Sequence, residues 1–274
     1  MTLEIKLEST PQTPSVVDWE PPMPPTDLIF DDGVPLETNR HRIAMNALIR
    51  SMLIALANRN DYFAGGNMFV YYSSTQAKNR DFRGPDFFVV LDVDGSISRQ
   101  GWVVWDEGGR YPDVIVELLS QSTAEIDKGE KKQLYERVFK TPNYYVFDPF
   151  NPSSFQGWAL DNKQKYQPLG ANEKGWLWCE MLGLWLGTWE GTIDRETAVW
   201  LRFYDKQGNL ILLPEEAERQ RAEAERQQAE AERQRAEAER QRAEAERQQA
   251  EAERQRAERL AAKLRELGVD PENL

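Results

Sequence analysis

Only one cysteine and one histidine occur in the 274 residues, and these two scarcities remove a good deal of chemistry. Cys179 has no partner for an intrachain disulfide, and a Cys/His cluster of zinc-binding spacing cannot be assembled. No apolar run approaches the ~18 residues needed to cross a bilayer, and no polybasic amphipathic stretch suggests attachment to its surface. A nucleophilic-serine elbow, a phosphate-cradling glycine loop and a dinucleotide fingerprint are absent too. Neither a basic leader nor an apolar core of a secretion signal opens the chain, so the expectation is a soluble, cytoplasmic protein with no membrane partner. Positive charge is also in deficit: the net charge is -12, and avid, sequence-independent binding to nucleic acid usually needs a basic face.

What is present divides the chain in three. Residues 1–35 contain Pro11, Pro14, Pro21, Pro22, Pro24, Pro25 and Pro35, a density that disfavours helix and strand alike and reads as an arm. Residues 36–213 hold nearly all of the nine Trp, nine Tyr and eleven Phe, enough apolar surface for one domain. Residues 214–274 begin at Pro214, a favourable first helical residue, and repeat AEAERQR and AEAERQQ every seven residues to about Leu267. This predicts a long helix of ~80 Å at 1.5 Å per residue. Its alanines sit two and five apart, so no a/d seam forms before Leu260, Leu264 and Leu267. Pairs such as Glu223–Arg226 and Arg226–Glu230 are expected to hold a solvated helix instead. A spacer is the leading reading of this tail; a weak coiled coil through the terminal leucines, and with it a homodimer, is the minority alternative.

Within the body, Ile43, Ala47, Leu48, Met52, Leu53 and Leu56 recur at helical spacing after a cap at Thr38 or Asn39, which predicts a helix over residues 40–58. MFVYYS and DFFVVLDVDG read as strands bounded by glycine turns. DVIVELLS is apolar on both alternating faces except at Glu117, as a central strand covered on both sides would be. Residues 122–139 predict an amphipathic helix with Ile126, Leu134, Tyr135 and Val138 near one face. NYYVFD is the next strand, and residues 155–213 suggest hairpins that extend the sheet. The fold class is α/β, a mixed sheet flanked by helices with extra hairpins. The tryptophans at 176, 178, 185, 189 and 200 could stack bases, but core packing is the reading preferred for them.

Glu117 is the first candidate for chemistry. A lone carboxylate in the middle of VIVELLS is costly to bury unless it binds a metal or a cation; the bland alternative is an edge or salt-bridged glutamate. Asp86, after Gly84-Pro85 at the start of FFVVL, is placed where a sheet end can aim a carboxylate at a neighbouring strand, or is simply a turn residue. Lys128, Lys131 and Lys132 on the following helix offer the fixed positive charge that hydrolysis of a phosphodiester needs. His41, near Glu37 at the start of the first helix, ranks behind them. Asp92-x-Asp94-Gly95-Ser96 lacks the later ligands of a calcium loop and reads as a turn.

Taken together, GPDFFVV, PDVIVELLSQST, DKGEKKQLYERV and TPNYYVFDP resemble the Uma-two family of restriction-endonuclease-like proteins, within the PD-(D/E)XK nuclease superfamily, over residues 37–149. The resemblance implies a restriction-endonuclease-like core and a metal-dependent endonuclease acting on DNA, with Mg²⁺ as cofactor and Mn²⁺ as a substitute. It implies Asp86 and Glu117 as metal ligands. The superfamily lysine two residues after the glutamate is replaced by Leu119. The family pattern of Asp, Lys and Tyr every four residues falls instead on Asp127, Lys131 and Tyr135, making Lys131 the catalytic choice with Lys132 as its rival. Glu37 and His41 match the family's Glu and His around the first helix. The competing function is a non-catalytic, nuclease-fold scaffold that binds partners through its charged helix.

Overall fold

A computed structural model describes residues 23–30, 38–79 and 83–266; most of the proline-rich arm, Glu37 and residues 267–274 lie outside them. Helix α1 (Asn39–Ala55) is capped by Thr38, whose side chain accepts from the His41 amide. Its inward stripe is Ile43, Ala44, Ala47, Leu48 and Met52, whereas Leu53 turns out to solvent.

Six strands form one mixed sheet. They are β1 (Tyr62–Gly65), β3 (Phe87–Leu91), β5 (Val114–Leu118), β6 (Asn143–Asp148), β7 (Asn151–Leu160) and β8 (Tyr166–Pro168), in the order β1-β3-β5-β6-β7-β8. Only β5 and β6 run parallel within it. A separate parallel patch pairs β2 (Val70–Tyr71) with β4 (Trp102–Val103), and a short helix α2 (Ser74–Lys78) follows β2. The central strands are buried from end to end, and their alternation sorts the side chains onto two cores. Phe87, Val89, Val114, Val116 and Leu118 face the core of α1. Phe88, Val90, Ile115 and Leu119 face the opposite core with Tyr135, Phe139 and Tyr144. Glu117, odd in number like Ile115 and Leu119, falls on that second face.

The β5–β6 crossover is helix α3 (residues 124–139), and it is not a uniform α-helix. Asp127–Lys131 and Tyr135–Phe139 are π-helical, with α turns at Ala124–Ile126 and Lys132–Leu134. In an α-helix of 3.6 residues per turn, residues four apart drift by about 40° per step; the wider π turns take up that drift. Asp127, Lys131, Tyr135 and Phe139 therefore stay in line against the sheet. This corrects part of the sequence expectation for the inward face: Ile126 and Val138 are exposed and Asp127 is buried, whereas Tyr135 is buried as expected. The helix ends on Lys140 in the left-handed region (φ 55°), with Pro142 beyond it.

The later strands only partly extend the sheet. β7 and β8 add to it, but β9 (Leu177–Cys179), β10 (Leu184–Ile193) and β11 (Glu196–Tyr204) form a second antiparallel sheet. Leu186, Trp200, Leu201 and Phe203 of that sheet close the core over α1. The tryptophans are used in packing: Trp200 is buried, Trp176 stacks on Tyr204 at 3.8 Å, and Trp178 meets Trp185 edge-on across the strands.

Helix α4 (Pro214–Glu266, 53 residues) is exposed along nearly its whole length. Contacts closed along it include Arg254–Glu258 at 3.1 Å and several Gln–Glu bonds four residues apart. Its root is fixed. The Glu216 carboxylate caps the helix by accepting the Leu213 amide at 2.7 Å, and it takes the guanidinium of Arg202, 0% exposed, at 2.7 Å. Arg50 of α1 donates to Glu215 at 3.0 Å. Among the described residues, no helix is long and apolar enough to cross a membrane.

Removing one partner of a buried ion pair strands the other. Glu216→Ala is expected to destabilise the body by about 3 kcal/mol, the low end for a broken buried pair because Glu216 is partly exposed. Deleting residues 222–274 is expected to leave the urea midpoint of the body unchanged. Urea titration followed by tryptophan fluorescence checks both.

Candidate active site

Asp86 and Glu117 meet because β3 and β5 run antiparallel with Phe87 opposite Val116. That register sets the residue before β3 beside the residue near the end of β5. Main chain then locks the two together: the Asp86 amide donates to Glu117 Oε2 at 3.3 Å, and the Leu118 amide donates to Asp86 Oδ2 at 2.8 Å. The two carboxyl groups are close enough for the charge of Asp86 to raise the Glu117 carboxyl.

The line of residues on α3 supplies the rest. Tyr135 donates its hydroxyl to Glu117 Oε1 at 2.7 Å. Lys131 Nζ lies 3.2 Å from Glu117 Oε2 and 2.8 Å from Asp127 Oδ1. Tyr144 of β6 donates to the Asp127 carbonyl at 2.8 Å, tying the first π turn to the sheet. Lys132 points elsewhere, with its Nζ 3.9 Å from the centre of the Trp158 ring. One helical position therefore separates a lysine among carboxylates from a lysine on an aromatic face.

Three acids around one lysine leave an excess of negative charge, and burial decides who carries it. Burial lifts the Glu117 carboxyl to about 7, with Lys131 pulling it down and Asp86 pushing it further up. Asp86 is raised to about 6 by burial against the pull of Lys131, and Asp127 is raised by burial and by Glu117. For Lys131, burial disfavours the charge, but Glu117, Asp127 and Asp86 outweigh it and hold the ammonium above its ordinary value. Burial, with Glu117 adding to it, keeps the Tyr135 phenol protonated and a donor.

His41 does not join the carboxylates. It is on α1, across the sheet from α3, and its Nε2 lies 3.2 Å from the carbonyl of Leu119 while Nδ1 meets the Thr38 hydroxyl at 2.9 Å. Glu37 lies outside the described residues. Asp92 and Asp94 form the expected turn, with Asp94 accepting the Ser96 amide at 2.9 Å.

At the same end of the sheet is a cavity of about 670 Å³ that sequence reasoning did not anticipate, lined in part by Thr38, His41, Gln121, Ser122, Asp148 and Phe150. It opens beyond the carboxyl ends of the parallel pair β5–β6, where ligands of α/β sheets characteristically bind. The one sequence signal was Phe150, a large aromatic just past a strand end and an Asp-Pro turn.

Residues 20–190 match the model of the Uma2 family, described as "Putative restriction endonuclease". The chain belongs to the Uma2 family. A crystal structure of a "putative nuclease belonging to DUF820" from Anabaena variabilis ATCC 29413 is similar at 12% identity, covering 58% of this chain and 86% of that one with a TM-score of 0.39. No curated protein matches.

The raised carboxyls make stability depend on pH with a definite sign. Between the ordinary values of 3.8 and 4.5 and the folded values of about 6 and 7, the folded protein holds protons that the unfolded chain has released. Stability from these groups therefore falls as pH rises through this window and is lowest above about pH 7. In Glu117→Gln this component of the slope is expected to shrink, and in Lys131→Met it should extend to higher pH. Urea midpoints from pH 5 to 8 for the three proteins measure it.

Proposed function

We propose that this Uma2-family protein is a Mg²⁺-dependent endonuclease that hydrolyses phosphodiester bonds of DNA, with Asp86 and Glu117 as metal ligands and Lys131 as the catalytic cation. The observation that carries the reading is a half-buried lysine held between Glu117 and Asp127, beside a second carboxylate on the adjoining strand end. Structural ion pairs do not need two carboxyl groups pressed together in this way, because mutual repulsion works against it.

The donors fit a hard, hydrated cation. Among the described residues no group of three or more His, Cys, Asp or Glu could hold a metal, which disfavours an all-protein cage. Mg²⁺ commonly takes one or two carboxylates and keeps several waters. Asp86 Oδ2 and both oxygens of Glu117 already accept hydrogen bonds, so Asp86 Oδ1 and the remaining lone pair of Glu117 would hold the ion. Bound there, the metal would neutralise charge on the phosphate and acidify a water; Mn²⁺ offers the same chemistry.

The protein's own part is positioning. Tyr135 and the Asp86 amide fix the Glu117 carboxylate before any ligand arrives. Lys131 retains its charge throughout the working pH range and stands ready to orient the attacking water or to stabilise charge developing on phosphate oxygens. Asp127 keeps the ammonium at the site instead of letting it swing to solvent. Since proton and metal compete for the same carboxyls, affinity for Mg²⁺ should rise with pH up to about 7 and level off above it.

A second reading has its own observation: the net charge of -12 and the 53-residue exposed helix suit a scaffold whose folded body only anchors α4. Purified protein is expected to nick supercoiled DNA with Mg²⁺ or Mn²⁺. Asp86→Asn and Glu117→Gln should each abolish nicking, and Lys131→Met should lower it on the order of a hundredfold, as loss of one preorganised electrostatic group does. Nicking at the wild-type rate by both carboxylate variants would sink the nuclease reading, and partner capture lost on removing residues 222–274 would favour the scaffold.

A further inference from the structure

We infer that the cavity beyond β5 and β6 is a subsite for one unstacked nucleobase, so that the substrate strand is read with a nucleotide out of its duplex stack; taking nucleic acid as the ligand rests on the nuclease reading. The cavity is of the size that takes a small ligand, at about 670 Å³. Among the described residues its lining includes no lysine or arginine, and it does include the carboxylate of Asp148. A phosphate would be repelled there. A neutral, flat ligand with hydrogen-bonding edges would not.

Phe150 gives such a ligand its platform. Phe150 is 57% exposed at the cavity wall, which leaves aromatic surface open to a ligand there. Its ring is held by the Arg40 guanidinium, 4.4 Å from the ring centre, and Arg40 is itself fixed by Glu196 at 2.6 Å. Asp148 Oδ1 accepts the Phe150 amide at 2.8 Å, which sets the turn that presents the ring. The aromatic surface is thus preorganised, and the Arg40 guanidinium is occupied in holding it. Around it the exposed Gln121 amide can donate and accept, and Asp148 can accept, as the edge of a base requires.

Position ties the cavity to the carboxylates. Ser120 and Gln121 follow Glu117 within four residues, Asp148 ends the parallel neighbour of that strand, and Asp86 begins the antiparallel one at the same end of the sheet. A strand with a phosphate at Asp86 and Glu117 would run past the end of the sheet onto which the cavity opens. A base still paired in a duplex could not reach in, so entry requires single-stranded DNA or an extruded base.

The test uses the full chain in EDTA, where no cutting occurs, and a single-stranded DNA oligonucleotide carrying the fluorescent base 2-aminopurine. Binding is expected to change its fluorescence, and more strongly than for the same base paired in a duplex. Phe150→Ala should weaken binding on the order of tenfold and remove the change, as loss of one stacking contact does, and Phe150→Trp should restore both. Equal binding and equal fluorescence in wild type and Phe150→Ala, or no binding by wild type, would overturn the subsite. If wild type cuts DNA with Mg²⁺ while the fluorescence ignores Phe150, the subsite alone fails. If it cuts nothing but the Phe150-dependent change persists, the cleavage reading fails and base recognition stands.

Discussion

Burying the carboxyl group of Glu117 in the middle of a sheet is the constraint around which the body is arranged. A carboxylate with no exposure would cost several kcal/mol if left alone, so each neighbour answers it. The adjoining strand offers an amide, the crossover helix offers a phenol and an ammonium, and Asp127 steadies that ammonium from behind. Even the irregular winding of α3 follows from it, because a regular helix would carry Asp127, Lys131 and Tyr135 progressively off the line that faces one strand position.

The same arrangement trades stability for readiness. Apolar residues of similar volume could fill this space without the electrostatic conflict of three acids about one base. Keeping the conflict makes sense where a cation or a phosphate is to be received, since perturbed acids gathered with a fixed positive charge are a common mark of sites that do chemistry. The cavity beyond β5 and β6 differs in kind: it is weakly charged, aromatic at its rim and shaped by hydrogen bonds to main chain. Adjacent regions of opposite character can divide the handling of one ligand, the charged part from the flat part.

Much of this was legible in the residues, for physical reasons that vary by element. Runs such as FFVVL and VIVEL declare central strands because only a sheet covered on both faces tolerates them, and one glutamate inside such a run stands out for the same reason. The choice between Lys131 and Lys132 could not be made from helical periodicity, because the π turns of α3 carry no sequence signature; the resemblance to a family pattern named Lys131, and the geometry sets it among the carboxylates. The inward face of α3 was misjudged through Ile126 and Val138, apolar residues that solvent keeps while an aspartate goes inside. The second sheet was illegible as a separate body: its β10–β11 hairpin turns on Asp194 and Arg195, both at positive φ, with no glycine to announce the turn. Phe150 was a weak signal because an aromatic residue in a sequence looks the same whether it will be core or rim.

Helix α4 leaves Glu215 and Glu216 and travels alone. A folded body of about 180 residues has a radius of gyration near 16 Å, so a helix of ~80 Å is about twice as long as the mass it is rooted in. Hydrodynamically the molecule is a small sphere carrying a rod. It should sediment and diffuse more slowly than a globular protein of 31.7 kDa, and on size-exclusion columns it would pass for an oligomer even as a single chain.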